Sequence, residues 1–190
     1  MNRTTSIFVS LFAALLALMA TQAGAVEYGT IAGDRSSIAF TSKQMGVAVD
    51  GRFRKFTAAL NFDPAKPAAA SARIDIDLNS IDAGSKDADD EVVGKQWFNV
   101  KAFPTATFVS SSVKALGGDR YEAQGKISIK GKSQDVSLPF TLKHDGNSAT
   151  IDGSLTIKRL DFAIGEGAWA DVSTVANEVQ IKFRFIAAKK

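Results

Sequence analysis

The sequence predicts an all-β protein, an antiparallel up-and-down barrel of eight strands with a short helix in one connection. Three observations support this fold class. Apolar and polar residues alternate with period two in many segments, which is the pattern of strands with one buried face. Turn sequences rich in glycine and aspartate separate consecutive segments at the spacing of hairpins. The mature chain shows no crossover helices of the kind that a parallel sheet requires.

The first 25 residues have the features of a secretory signal peptide. Arg3 supplies positive charge, an apolar run follows at 7–20, and Ala23-Gly24-Ala25 resembles a cleavage site. The run of about 14 residues is shorter than the roughly 20 that cross a bilayer as a helix. We therefore expect cleavage after Ala25, export to the periplasm, and one mature domain at 26–190.

The composition of the mature chain excludes several classes of protein. The full chain has 23 Lys+Arg and 20 Asp+Glu, and removal of Arg3 with the signal lowers its net charge from +3 to +2. This balance does not indicate nucleic-acid binding. The chain has no cysteine, so it has neither disulfides nor a cysteine-linked lipid anchor.

Alternating segments predict the strands. In the clearest example, Ile74, Ile76 and Leu78 alternate with charged residues. The predicted strands cover 37–41, 52–62, 73–78, 105–113, 121–130, 136–142, 148–157 and 179–185. Hairpin turns are predicted at 117–119, 131–133 and 145–147, where residues that tolerate positive φ occur.

One segment, 85–95, breaks the alternation. Its acidic start predicts a short helix, because carboxylates in the first turn favour the amino-terminal end of the helix dipole. Trp97, Phe98 and Phe103 follow before Pro104 and are strongly apolar for a connection. We expect them to fold over one end of the barrel.

The sequence offers little for catalysis or metal binding. His144 is the only histidine, lies next to a predicted turn, and has no second histidine or cysteine to form a zinc site or a common catalytic triad. The acidic stretch at 87–91 lacks the glycine and the distal glutamate of an EF-hand loop, so a solvated helix start is favoured over a calcium site. We expect no metal and no catalytic residues.

The interior allows two interpretations. An eight-stranded barrel is just wide enough to be filled by its own side chains or to hold one small ligand. The inward faces combine small residues such as Gly125 and Gly153 with many phenylalanines. These small residues either leave a lumen walled by aromatic rings or accept the rings in close packing. The pattern alone leaves both open.

Six segments, in order over nearly the whole mature chain, resemble the YceI family of exported, lipocalin-like, polyisoprenoid-binding barrels. They are SIAF at 37–40, GRF at 51–53 with Phe56, NSIDAG at 79–84, WFNV at 97–100 followed by FPTATF at 103–108, GKISIKGKS at 125–133 and RLDF at 159–162. The resemblance implies an internal tunnel that holds an isoprenoid tail, with the polar head near the mouth. It therefore favours the lumen over the filled interior.

This chain departs from the family pattern at two places. The family commonly has histidines before Gly51 and in the helix after Ser85. Here Gln44-Met45 and Asp90-Glu91-Val92 occupy those places. A head-group role of such histidines therefore does not carry over.

The resemblance implies no cofactor, but a bound polyisoprenoid lipid, such as a quinone or a prenyl phenol. The inward aromatic and aliphatic side chains are the candidate ligand-binding residues, and for each of them plain core packing is the alternative. They are Phe40, Phe53, Phe56, Phe62, Ile74, Ile76, Trp97, Phe98, Phe103, Phe108, Ile127, Phe140, Ile151, Leu155, Phe162, Trp169 and Phe183.

The functional hypothesis is that the mature protein sequesters or carries a prenyl lipid in the periplasm, without chemistry. A rival is a solid barrel that binds a partner such as a membrane redox protein. A third is a lipid hydrolase or isomerase in which Tyr28, Tyr121 or a carboxylate faces the lumen. Transient contact with the membrane and a homodimer are further expectations that the sequence leaves open.

Overall fold

The computed structural model describes residues 27–190. The predicted signal peptide lies outside the described residues. The strands are β1 (Tyr28–Ile31), β2 (Ser37–Gln44), β3 (Val47–Phe53), β4 (Phe56–Phe62), β5 (Ser71–Asp77), β6 (Ile81–Asp82), β7 (Thr105–Gly117), β8 (Arg120–Ile129), β9 (Lys132–Asp145), β10 (Ser148–Lys158) and β11 (Glu178–Lys189). The α-helix is α1 (Lys86–Val92), and 3-10 turns cover Gly33–Arg35, Pro67–Ala69, Leu78–Ser80, Arg159–Phe162 and Gly167–Ala170.

These strands form a closed antiparallel barrel with eight strand positions around its wall. We call each of these positions a stave; it holds one long strand or two short ones. β1 and β2 act as one interrupted stave, since both pair with β11, and β3 and β4 act as the next, since they pair with β2 and β1. β5 pairs with β4 and β7, the short β6 extends the same stave beside β3, and β7 to β11 follow as a meander. The predicted fold class is confirmed, including the short helix between the third and fourth staves.

The second stave differs from its prediction. The sequence predicted one strand over 52–62, but the chain leaves the ladder at Arg54 and Lys55. The backbone N–H of Arg54 donates to the carbonyl oxygen of Ser80 (3.0 Å), and that of Lys55 donates to Ser80 Oγ (2.9 Å). The strand breaks because these two groups bond to the 3-10 turn instead of to the neighbouring strand.

The predicted helix and hairpin turns are present. Ser85 caps α1 by accepting a hydrogen bond from the N–H of Ala88 (3.2 Å). The turn predicted at 131–133 lies one residue earlier, at Lys130-Gly131, where both residues have positive φ (50° and 73°). This is the conformation of a two-residue hairpin turn.

The ladder between β9 and β10 is shorter than the strands themselves. Pairing runs from Ser148–Asp145 to Gly153–Phe140 and ends there. The next residue of β9 is Pro139, whose carbonyl oxygen is directed towards Gly153. Proline has no N–H to donate, so the ladder stops at this residue. The part of β9 at 132–139 is not paired with β10.

Four of the seven connections between staves lie at one end of the barrel, as the up-and-down order requires. These are the β2–β3 turn, the segment with α1, the β8–β9 turn and the segment between β10 and β11. The opposite end carries the other hairpin turns and the ends of β1 and β11. There the hydroxyl of the buried Tyr28 lies 2.6 Å from Nδ1 of the exposed His144.

Glycines and phenylalanines pack against each other across neighbouring strands. A Cβ on Gly51 would overlap the ring of Phe40, one on Gly125 that of Phe108, and one on Gly153 that of Phe183. At these positions the small inward residues accept aromatic rings and do not leave a lumen. The close-packing interpretation is therefore correct for Gly125 and Gly153.

No helix in the part of the chain that the structure describes is long and apolar enough to cross a membrane.

Replacing Gly125 by alanine should destabilise the barrel. Its Cβ would lie 2.5 Å from the Val109 carbonyl oxygen and 2.7 Å from the ring of Phe108, and the backbone oxygen cannot move aside. We expect G125A to lose about 1–3 kcal/mol of unfolding free energy, the usual cost of overpacking, in urea denaturation. G33A is the matched control, because no atom lies within 4 Å of its Cβ position. Equal midpoints for the two variants would contradict the packing described here.

Candidate functional site

The barrel encloses a cavity of about 500 Å³ in the half that carries α1. Its wall is formed mainly by inward side chains of β2, β3, β5, β7, β8, β10 and β11. The wall residues from the staves and their ends are Ile38, Phe40, Ser42, Gln44, Val49, Phe53, Ile76, Leu78, Ile81, Ala83, Ala106, Thr107, Phe108, Ile127, Ile129, Ile157, Val179 and Ile181. We call this the hollow half.

The other half of the barrel is filled. Phe62 packs against Tyr121 and Phe140 with ring centroids 5.1 and 5.9 Å apart, and Phe185 packs against Phe56 and Phe183 at 5.7 and 5.2 Å. A gap of only about 60 Å³ is left among these rings. We call this the packed half.

The choice of inward side chains explains why only one half is hollow. Inward positions of the packed half carry aromatic rings from several staves, which pack against one another. The hollow half has isoleucines at many inward positions, among them Ile76, Ile127 and Ile181. Its Phe40 and Phe108 rings lie against Gly51 and Gly125 of the wall. An isoleucine is too short to reach across an interior of this width, so the centre stays open.

The mouth of the cavity lies at the end that carries α1, because the exposed residues of the wall collect there. Gln44 comes from the tip of β2, and Asp87 and Glu91 come from one face of α1. The segment between β10 and β11 completes the mouth with Arg159, Ile164, Trp169 and Val175. A ligand would therefore meet carboxylates and an amide at the mouth and aliphatic and aromatic side chains farther inside.

One carboxylate of α1 bonds to two tryptophans at the mouth. Glu91 Oε1 accepts hydrogen bonds from the indole N–H of Trp97 (3.2 Å) and from that of Trp169 (2.8 Å). The two indole rings lie 5.4 Å apart between centroids. The polar edges of both tryptophans are thus satisfied by α1, and both side chains belong to the wall of the cavity.

Arg159 is buried behind these tryptophans. Only 1% of it is exposed, and burial lowers the pKa of its guanidinium. All of its N–H donors find carbonyl oxygens: those of Ala176 (3.1 Å), Ile164 (2.8 Å), Gly165 (3.0 Å), Trp169 (2.6 Å) and Val175 (2.7 Å). Arg159 therefore fixes the path of the segment that follows it.

Gly165 makes this arrangement possible. Its φ is +77°, and a Cβ would overlap the Arg159 guanidinium. A residue with a side chain would be strained in this conformation and would push the guanidinium away from its carbonyl acceptors.

Lys130 secures the mouth from the β8–β9 turn. Its ammonium donates to the carbonyl oxygens of Lys95 (3.1 Å) and Ala163 (2.6 Å) and to Glu166 Oε2 (2.8 Å). The lysine side chain is 7% exposed, and its hydrogen bond lowers the pKa of the Glu166 carboxyl. The Lys130 side chain therefore links three of the four connections at this end of the barrel.

The residues around the cavity are suited to binding an apolar molecule. Within 27–190 no group of three or more His, Cys, Asp or Glu side chains could hold a metal ion. Tyr28 and Tyr121, considered above for catalysis, do not line this cavity, and burial raises the pKa of both phenols. Asp87 and Glu91 are the carboxylates of the wall, and both are at its exposed mouth.

The structure brings together many of the candidates named from the sequence. Eight line the large cavity: Phe40, Phe53, Ile76, Trp97, Phe98, Phe108, Ile127 and Trp169. Phe62, Ile74, Phe140, Ile151 and Phe183 surround the small gap in the packed half. Phe56, Phe103, Leu155 and Phe162 line neither space, and Phe103 lies against Gly131.

Sequence reasoning missed several wall residues. Ile129, Ile157 and Ile181 lie on predicted strands in phase with named candidates, so the alternation could have identified them. Arg159 could not be identified in this way, because a lone arginine after a strand gives no signal of burial.

The sequence is similar to a known domain family and to several related proteins. The YceI-like domain matches residues 30–187. UPF0312 proteins of Pseudomonas paraeruginosa and Yersinia pestis are 31% and 32% identical over 156 residues, covering 78% of this chain and 79% of each relative.

Solved structures extend this relationship to the fold. Burkholderia cenocepacia BcnA is 46% identical with a TM-score of 0.82, covering 84% of this chain and all of that one (100%). A polyisoprenoid-binding domain from Saccharophagus degradans has a TM-score of 0.67 at 14% identity, covering 87% of this chain and 99% of its own, and shares the fold.

Replacing Arg159 by methionine should be strongly destabilising. The change leaves buried carbonyl oxygens without donors, and each such group costs about 1–3 kcal/mol. We expect R159M to lose at least about 3 kcal/mol of unfolding free energy in urea denaturation.

R184M is the control, because Arg184 pairs with Asp152 on the exposed outer wall (2.7 Å). An exposed pair of this kind contributes at most about 1 kcal/mol. Similar losses for the two variants would mean that Arg159 does not hold the mouth segment in place.

Proposed function

Because the chain belongs to the YceI-like domain family, we propose that it binds a polyisoprenoid lipid in the hollow half of its barrel. The proposed ligand is quinone-like or prenyl-phenol-like. We further propose that the protein works in the periplasm as a carrier or store of this lipid, without catalysing a reaction.

The observation that carries this proposal is the cavity of about 500 Å³ with an apolar interior and polar groups at its mouth. Each isoprene unit has roughly five carbons, and burial of a CH₂ group contributes about 0.8 kcal/mol, so each unit contributes a few kcal/mol before ordering costs. A tail in the hollow half needs no charged contact to bind.

The polar groups of the mouth suit the head of such a lipid. Glu91 has carboxylate oxygens that can accept a hydrogen bond from a phenol hydroxyl, and the amide of Gln44 can donate to a quinone carbonyl. Trp97 and Trp169 offer ring faces on which a flat head group can stack.

The solid-barrel alternative is less well supported. A module that only presents its outer surface to a redox partner gains nothing from a hollow half, and a void costs packing energy. Contact with a membrane redox protein is compatible with lipid binding, but no described feature favours it.

The two tryptophans provide an internal probe for binding. They are the only ones in the chain, and both line the mouth. Titration of the mature protein with a short-chain ubiquinone should therefore quench its fluorescence to saturation. Native mass spectrometry of periplasmic extract should show a stoichiometric adduct that solvent extraction identifies as a prenyl lipid.

Filling the hollow half should abolish uptake without unfolding the barrel. Ala106 is buried and lines the cavity, so the ring of A106F would occupy space that is open in the native protein. We expect at least a tenfold loss of quinone affinity with an unfolding midpoint that does not fall. A188F, on the exposed outer face of β11, is the control and should bind normally. An adduct-free native protein that does not take up added quinone would rule out the proposed function.

A further inference from the structure

The most exposed large apolar side chains within 27–190 cluster beside the mouth of the cavity. They are Met45 (76% exposed), Val47 (67%) and Val172 (54%). We call these three residues the apolar rim. Single exposed apolar residues are common on proteins, but three around the opening of an apolar cavity are not explained by chance exposure alone.

The apolar rim is one surface, although it comes from two segments. The N–H of Met45 donates to the carbonyl oxygen of Thr174 (2.8 Å), and the N–H of Ala176 donates to that of Lys43 (2.9 Å). The bridge between Gln44 and Val175 lies between these bonds, and both of its residues line the cavity. The rim therefore adjoins the wall of the cavity directly.

The requirements of folding do not explain why a methionine occupies position 45. Its φ is +50°, a left-handed conformation that asparagine, aspartate and glycine adopt far more readily. A methionine at this turn is both strained and exposed, so its side chain stabilises neither the turn nor the core.

Val172 is similarly presented to solvent. Asp171 Oδ1 accepts hydrogen bonds from the N–H of Ser173 (2.8 Å) and from its hydroxyl (2.7 Å). This small turn fixes the backbone on both sides of Val172. The apolar side chain therefore stands at the apex of an ordered turn.

We propose that the apolar rim inserts into the surface of a lipid bilayer, so that the mouth opens onto the membrane. This inference rests on the proposed function for its purpose, since an isoprenoid lipid resides in a bilayer and its tail would otherwise have to cross water. Lys43 next to the rim is matched by Asp171, and α1 carries Asp87, Asp89, Asp90 and Glu91 against the single cation Lys86. Docking therefore depends on apolar contact and not on anionic lipid.

The experiment compares the mature protein with a variant in which the rim is polar but the fold is kept. M45N suits the positive φ of the turn, and V47T and V172T preserve the shape of valine. The control is V109T/L116T, which makes two exposed apolar residues of β7 polar: one on its outer face and one at the opposite end of the barrel. The probe is flotation with phosphatidylcholine vesicles that contain no quinone.

We expect the wild type and the control to float with the vesicles, with little effect of salt, and the rim variant to partition at least tenfold less. Binding that requires phosphatidylglycerol and disappears in salt would overturn apolar insertion. Equal partitioning of the rim variant would overturn the assignment of the surface. A change in oligomeric state of the rim variant, measured by light scattering, would instead make the rim a contact between copies of this chain.

Separate measurements test the docking surface and the ligand site. Quenching by short-chain ubiquinone in vesicle-free solution measures the cavity alone, and we expect the rim variant to keep this affinity within about twofold. Vesicle binding without quinone binding would overturn the proposed function but not the docking surface. Quinone binding by a wild type that does not float would overturn the docking surface alone.

Discussion

The pairing of β11 with both β1 and β2 closes the wall of the barrel and fixes the width of its interior. In an eight-stranded barrel that width accommodates inward side chains and little else, so their volumes decide whether space remains. Phe62, Tyr121 and Phe140 pack against one another and help to fill the packed half. Isoleucines in the hollow half stop short of the axis, and the cavity is the consequence.

The mouth depends on buried cations that bond to peptide carbonyls. Segments that connect strands cannot satisfy all of their own carbonyl oxygens, and buried ones need donors from elsewhere. Arg159 supplies donors to the segment before β11, and Lys130 supplies them to the segments on either side of the β8–β9 turn. An ordered mouth reduces the entropy lost when a ligand binds, which favours affinity without additional contacts.

The polarity of the site changes from its mouth to its interior, in an order that suits the amphipathic lipid proposed as its ligand. The apolar rim and the hydrogen-bonding groups of Glu91 and the two tryptophans lie at the mouth, and the apolar wall lies inside. With this order, a lipid that left a bilayer tail first would pass from one apolar environment to another. Its head group would remain at the level of the polar residues.

The sequence by itself determined a strand in each of the eight staves, because alternation with period two is a local property of each strand. It missed β1 and the break in the second stave. It also identified inward candidates such as Phe40, Ile76 and Ile127, which line the cavity. It did not distinguish them from Phe62 or Phe140 in the packed half, since the position of a residue along the barrel axis depends on the register between strands.

Only the tertiary structure decided which contacts form the site. The break at Arg54 and Lys55 depends on Ser80, and the hydrogen bond of Trp169 to Glu91 joins residues 78 positions apart. The burial of Arg159 depends on a chain reversal that brings five carbonyl oxygens around one guanidinium. Such contacts leave no periodic trace in the sequence, because each is made by single residues that closure of the barrel brings together.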